Sequence, residues 1–241
     1  MIKTKFGSII SHKYNSQYIC YDSSIQPILK DRIISSYKSD EFRLSNNSNF
    51  LDLNNGFIKK HFWRKGGVTL LKDNYFFFGL SASRPIRELK NYIDFLYIIK
   101  NQTNKQVNDI LDPCIPIAAF VEKKGLLYKG DIVLSKMHGL TIDKYLNTYN
   151  KYHHLFADNL ALCFKVLFQN GIYNFDMNLS NIIYNTNTNK IAFIDFDKLV
   201  INPLKKNNKI YISSVLSKFE SSLEKYHLKN NFDWNNFISK L

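Results

Sequence analysis

FKVLFQNGIYNFDMNLSNIIYNTNTNKIAFIDFDK, residues 164–198, is the stretch around which the remainder of the chain is arranged. It opens on the end of an apolar helix that stops at Asn170-Gly171, the residue types that close helices because they tolerate a left-handed backbone. A polar loop follows, holding Asp176 and Asn181. Residues 182–184 are apolar and strand-like, an Asn/Thr turn comes next, and residues 191–194 make a second apolar strand. Asp195-Phe196-Asp197 stands at its end. Two acids and an amide on loops beside short buried strands are oxygen donors of the kind that hold a metal ion next to a phosphate.

Working outward, residues 215–226 and 234–241 read as helices, the first amphipathic. Upstream, residues 141–149 and 155–169 have helical periodicity, which sets in after His138-Gly139. Residues 134–137, Leu-Ser-Lys-Met, form the crossover from a β-rich half to this helical half. Residues 115–121 and 126–137 read as antiparallel strands around a turn at 122–125. Residues 84–100 suit a helix: Pro85 fits its first turn, and Ile86, Leu89, Ile93 and Leu96 recur at helical spacing. Glu88, expected in the first turn of that helix, either complements its dipole or reaches a lysine on the preceding strands. Strands at 50–53 and 57–63 flank Asn54-Asn55-Gly56, a tight-turn signal. Residues 35–49 are polar and turn-rich. Nearer the N-terminus, 17–21 and 25–34 suggest a strand and a helix, and no internal repeat is found.

Strands, one helix, more strands, a crossover and then helices are expected to give an α+β, two-lobed, protein-kinase-like fold. Residues 1–136 would be a β-rich N-terminal lobe clamping a nucleotide. Residues 137–241 would be a mostly helical lobe carrying the catalytic and metal loops.

The 241 residues carry 33 Lys and Arg against 20 Asp and Glu, a formal net charge of +13. Such a surplus draws polyanions: nucleic acid, an anionic membrane face or a phosphorylated substrate. The basic residues are dispersed, which argues against a nucleic-acid tail. With 45% hydrophobic and 22% charged residues the composition is that of a folded domain. Cys20, Cys114 and Cys163 are far apart and form no C-x-x-C pair, so neither a zinc site nor a disulfide framework is expected, and a reducing compartment fits. Cys163 sits in an apolar helical run as a core residue. The N-terminus lacks a continuous apolar segment of the secretory type, and no run of about 18 apolar residues occurs, so a soluble or peripheral protein is expected.

Asp176 and Asn181 are spaced as D-x-x-x-x-N, the pattern of a kinase catalytic loop, and Asp195 opens an Asp-Phe-Asp where protein kinases carry Asp-Phe-Gly. Three stretches together resemble the lipopolysaccharide-core kinases, the kinases of 3-deoxy-D-manno-octulosonic acid (Kdo) in particular. They are KHFWRKGG with LLKDNYFFFGLSASRPIREL (residues 60–89), IPIAAFVEKKGLLYKGDIVLSKM (115–137), and NFDMNLSNII with IAFIDFDK. The resemblance covers most of the chain from about residue 50 onward. It implies transfer of the γ-phosphoryl group of ATP, with Mg²⁺, to a hydroxyl of the Kdo sugar on a lipid A precursor. It also implies a place at the cytoplasmic face of a Gram-negative inner membrane. A heptose or another small sugar alcohol is the alternative acceptor.

On this resemblance Asp176 is the catalytic base, and Asn181 and Asp195 are the metal ligands. Lys60 contacts the nucleotide phosphates and pairs with Glu88. Ser135 and Met137 on the crossover line the nucleotide, and Arg64 and Arg84 meet substrate anions. The sequence departs from the family at two places. Asn174 stands where the family has His in H-x-D, and Ser45-Asn46-Asn47-Ser48 stands where a glycine-rich phosphate loop is expected. The second departure keeps an inactive pseudokinase as an alternative.

Overall fold

The computed structural model describes residues 1–25, 31, 35, 50–53, 56–63, 73–102, 104–149 and 154–241. The chain divides into two units: Met1–Asp94 with Ile115–Lys136, and Phe95–Cys114 with Met137–Leu241. Antiparallel sheets and helices are mixed through both.

The first unit is built on strands β1 (Ile2–Lys3), β2 (Ser8–Tyr14), β3 (Gln17–Asp22), β4 (Phe50–Asp52), β5 (Phe57–His61), β6 (Tyr75–Phe76), β7 (Pro116–Lys124) and β8 (Leu127–Ser135). They form one sheet in the order β1-β2-β3-β7-β8-β5-β4, with β6 also paired to β8. All of these pairings are antiparallel. The central strand β7 carries the apolar run Pro116–Val121, every residue of it buried. Ile19, Tyr21, Ile117, Ala118, Phe120 and Val133 pack as a core cluster. The larger of these side chains each contribute about 1.5–3 kcal/mol by leaving water.

Helix α1 (Arg84–Asn101) starts against this sheet. Gly130 on β8 makes the contact possible, because a Cβ there would overlap Pro85 Cγ and crowd the Phe120 carbonyl. A glycine inside a strand commonly marks such a close approach. Glu88 is the fifth residue of α1 rather than part of its first turn, so its carboxylate is not spent on the helix end.

The second unit contains α2 (Lys105–Ile110), β9 (Leu140–Thr141), α3 (Ile142–Tyr149), α4 (His154–Gln169), β10 (Ile172–Asn174), β11 (Ile182–Asn185), β12 (Lys190–Phe193), β13 (Leu199–Ile201), α5 (Lys209–Lys225) and α6 (Trp234–Ser239). Its strands make two small sheets, β10–β13 and β12–β11–β9. Phe164 on α4 lies edge-on to Phe168, Phe193, Phe219 and Phe237, tying α4 to β12, α5 and α6. Edge-to-face pairs of this kind add about 0.5–1.5 kcal/mol beyond burial.

The helices and long strands fall within a few residues of their expected places, except that α5 starts at Lys209, six positions before the expected 215. The two-strand insert is in fact wider. β11 and β12 gain β9 as a third strand, and β10 pairs separately with β13. Three-residue strands have too few positions to show a period, so β10 and β13 leave no pattern in the sequence. Strands β1, β2 and β6 and helix α2 were likewise not expected. Most of the helix expected at 25–34, residues 36–49 of the polar segment and Asn54-Asn55 lie outside the described residues. Cys20, Cys114 and Cys163 are buried thiols outside any disulfide, and burial pushes the Cys20 thiol up to about 12.

Candidate active site

Helix α4 ends at Gln169 and the chain turns through Gly171, whose φ of +69° is left-handed. A side chain there would overlap the Asn202 carbonyl, and the Gly171 carbonyl accepts the Asn202 N–H at 2.7 Å. The turn delivers the chain into β10, which pairs Asn174 with Leu199. That register lays residues 175–181 beside residues 194–198, so the Asp176 loop and the Asp195 loop become neighbours.

Side-chain amides then lock the two loops. Buried Asn174 donates from Nδ2 to the Asp195 carbonyl at 3.3 Å and accepts the Asp176 N–H on Oδ1 at 3.0 Å. Asn181 donates from Nδ2 to the Asp176 carbonyl at 2.8 Å. Its own carbonyl accepts the Ile194 N–H at 2.9 Å. Asn178 donates from Nδ2 to Asp176 Oδ1 at 3.0 Å, orienting the carboxylate. From below, the Leu179 N–H donates to Ser222 Oγ at 3.2 Å, which donates in turn to the Phe219 carbonyl at 2.6 Å. The loop is thereby tied to α5.

Asp195 has φ +61°. Aspartate tolerates this region better than most residues, at a cost of about 1 kcal/mol or more. Phe196 next to it is buried, its ring 4.8 Å from that of Phe95. The anchored ring holds the strained acid in place. With the Asn181 nitrogen committed to the Asp176 carbonyl, the amide oxygen is the atom left to meet a cation, as a hard-ion ligand must. An amide oxygen and a carboxylate at the same end of the β11–β12 hairpin fit Mg²⁺ chemistry. Among the described residues no group of three or more His, Cys, Asp or Glu could hold a metal ion.

Two lysines that the sequence reading passed over stand at the Asp176 carboxylate. Lys198 Nζ lies 3.6 Å from Oδ2, and Lys218 Nζ, from α5, lies 3.7 Å from Oδ1. Lys198 directly follows Asp-Phe-Asp, a position that invited notice. Lys218 carries no local signal, because only the packing of α5 under the loop brings it there.

In the first unit Lys60 and Glu88 meet. Lys60 Nζ donates to both carboxylate oxygens, at 3.0 and 2.9 Å, and the Glu88 side chain is fully buried. Lys59 points to the other face of the sheet. It is buried, and its Nζ has no hydrogen-bond partner. Burial lowers the Lys59 ammonium below its ordinary value, with the charge of Asp131 offsetting part of the shift. On that face His61 bridges Asp131 at 2.6 Å and Asp73 at 3.3 Å. Burial would raise Asp73, but Lys129 at 2.8 Å and His61 bring it net below the usual carboxylate range.

Arg84 is stacked on Phe62 and Tyr75 and donates from Nη1 to the Tyr75 hydroxyl at 2.6 Å. Ser135 accepts the Ile115 N–H on Oγ at 2.8 Å, closing the β7–β8 ladder. Met137 follows β8 and begins the second segment of the second unit. Arg64 and the rest of Arg64-Lys65-Gly66-Gly67 lie outside the described residues, as does Ser45-Asn46-Asn47-Ser48.

The model of the lipopolysaccharide kinase (Kdo/WaaP) family matches residues 39–239. The chain belongs to that family. The family is one of lipopolysaccharide kinases, which are phosphotransferases. Among solved structures it is similar to monomeric WbdD, at 17% identity over 76% of this chain and 37% of that one, with a TM-score of 0.44. It is also similar to the bifunctional kinase-methyltransferase WbdD, at 16% identity over 66% of this chain and 32% of that one, with a TM-score of 0.40. The chain thus spans about a third of the length of these two. No curated protein matches it in sequence. No helix among the described residues is long and apolar enough to cross a membrane.

Proposed function

We propose that this kinase uses ATP to phosphorylate a hydroxyl of the Kdo sugar on a lipid A precursor, at the cytoplasmic face of a Gram-negative inner membrane. The observation that carries the reading is the amide lock: Asn174 and Asn181 bind the Asp176 and Asp195 loops to each other through their backbones. Phosphoryl transfer depends mostly on positioning and charge, and a lock of this kind supplies the first. The family match supports the reaction class.

In this reading the chain makes the two lobes of a kinase-like fold, residues 1–136 and 137–241, with residues 95–114 packed in the second unit. Asp176 accepts the proton of the acceptor hydroxyl. Asn181 and Asp195 hold Mg²⁺, which when bound offsets charge on the phosphoryl oxygens. Lys60 meets the nucleotide phosphates and Glu88 fixes its direction. Ser135 and Met137 on the crossover flank the nucleotide, while Arg64 and Arg84 meet substrate anions. Lys198 and Lys218, at the carboxylate end of Asp176, face the side from which the hydroxyl arrives, so they receive an acidic group of the acceptor.

The test supplies the protein with Mg²⁺ and labelled ATP beside a Kdo-bearing lipid A precursor, and separately beside a heptose acceptor. Label is expected in the Kdo glycolipid with wild type and not with Asp176→Ala. Label only in the heptose acceptor would overturn the substrate, and equal labelling by Asp176→Ala would overturn the base. No transfer and no nucleotide-dependent thermal shift at millimolar Mg-ATP would mark a pseudokinase.

A further inference from the structure

Three segments of the first unit converge at one end of its sheet. The β2–β3 turn is joined to β7 where the Lys123 N–H donates to the Ser16 carbonyl at 2.8 Å. β6 pairs Phe76 with Leu127, and the Phe77 N–H donates to the Leu126 carbonyl at 2.9 Å. The tip so formed leaves large apolar side chains in water: Phe76 is 52% exposed, Phe78 86% and Leu126 81%. The Phe76 and Phe78 rings are neighbours, with centroids 6.3 Å apart. Phe77 between them turns the other way, packing on Tyr18 and Tyr128. An alternation that points two phenyl rings outward from a well-packed base is not accounted for by the core.

The charges around this tip are mostly positive. Lys123 Nζ lies over the Phe77 ring at 5.0 Å and Lys13 Nζ over the Tyr18 ring at 5.8 Å. Lys124 is exposed and pairs with Glu122 at 3.2 Å, so that acid is already matched. Exposed apolar side chains ringed by lysines are the chemistry of an interfacial anchor. The apolar groups enter the headgroup and acyl boundary while the ammonium groups stay with anionic lipid phosphates.

We propose that this tip, through Phe76, Phe78 and Leu126 with Lys13, Lys123 and Lys124, docks the kinase onto an anionic bilayer. The inference deepens the functional reading above and rests on it for its biological sense, since a lipid-linked acceptor is reached only from the bilayer surface. The overall charge of +13 adds long-range attraction. The tip supplies the short-range hold.

The test is co-sedimentation of the full chain with vesicles of phosphatidylethanolamine, phosphatidylglycerol and cardiolipin, against vesicles of phosphatidylcholine alone. Wild type is expected to bind the anionic vesicles. Phe78→Ser/Leu126→Ser is expected to lose about tenfold in binding, having removed apolar groups from the interface. Lys123→Glu/Lys124→Glu is expected to lose the preference for anionic lipid. Circular dichroism and thermal melts confirm that both variants are folded. Unchanged vesicle binding by Phe78→Ser/Leu126→Ser overturns the proposal, because attraction would then come from net charge alone. Failure of wild type to bind either vesicle overturns it as well. Transfer to a lipid-free Kdo oligosaccharide separates the two readings. It should be the same in wild type and Phe78→Ser/Leu126→Ser, and its absence from both would count against the Kdo substrate while the vesicle result still decides the tip.

Discussion

Asn174 donates its side-chain amide to the backbone carbonyl of Asp195 across 3.3 Å, from a buried place at the end of β10. The same side chain accepts the Asp176 N–H, so a single residue spans the Asp176 and Asp195 loops. An imidazole can make both bonds in one tautomer, which is why histidine and asparagine are interchangeable at this point in physical terms. Neither group needs to touch the reacting atoms.

Asn174→Ala is expected to lower kcat by about tenfold, the effect of roughly one hydrogen bond's free energy on positioning, while leaving KM for ATP nearly unchanged. Asn174→His is expected to keep or exceed wild-type kcat. Steady-state kinetics on the Kdo acceptor checks both. A His variant as slow as the Ala variant would show that the position does something other than bridge the loops.

The pairing of Lys60 with Glu88 gives the second prediction. Removing one partner leaves a buried charge without its counterion, at about 3–5 kcal/mol. Lys60→Met and Glu88→Leu are each expected to lower Tm markedly and to abolish activity. Lys60→Met/Glu88→Leu is expected to recover most of the Tm and none of the activity, since the proposed role of the charge is to meet the nucleotide and not to hold the fold. Thermal unfolding beside the kinase assay checks this. A double variant as unstable as the single ones would mean the pair is structural in its own right.

Much of this was legible beforehand, and the limits have physical causes. Asp176, Asn181 and Asp195 sit within one supersecondary unit, so their spacing alone predicts that they meet. Lys60 and Glu88 were harder. Strand parity places Lys59 and Lys60 on opposite faces, but the face that meets α1 is set by the β5–β8 register, Lys60 opposite Ile132, and by Pro85 seated over Gly130. Neither is visible to local pattern. Lys218 was out of reach for a related reason, since a lysine on an amphipathic helix looks the same whether it faces bulk water or a carboxylate on another loop. Nothing local marks Phe76 and Phe78 either, and only the fold shows that their rings are left outside.

Lys198 and Lys218 yield the third prediction. Each is expected, as Lys198→Ala or Lys218→Ala, to raise KM for an acidic acceptor several-fold with little change in KM for ATP, and the two together to raise it further. The effect is expected to shrink as salt is added, since partly exposed charges are screened at about 10 Å in 0.1 M salt. Acceptor titrations at two ionic strengths measure it. An equal rise in KM for ATP would move these lysines to the nucleotide.

Lys59 supplies the last. Its ammonium is buried with no hydrogen-bond partner, and burial lowers its folded-state value below the 10.5 of a free lysine. Between that lowered value and 10.5 the unfolded chain holds the proton that the folded chain has released. The unfolded state therefore binds more protons there, and stability rises with pH through this window. At lower pH the folded state bears the full cost of an unpaired buried charge. Lys59→Met keeps the apolar stem, removes the charge and leaves Asp131 paired with His61, so it is expected to stabilise the fold by about 1–3 kcal/mol at neutral pH. The advantage over wild type should narrow as pH approaches 10.5. Denaturant unfolding of both proteins from pH 7 to pH 10 gives the difference directly and cancels the titration of groups they share. A gap that stays constant across that range would place the Lys59 ammonium in water.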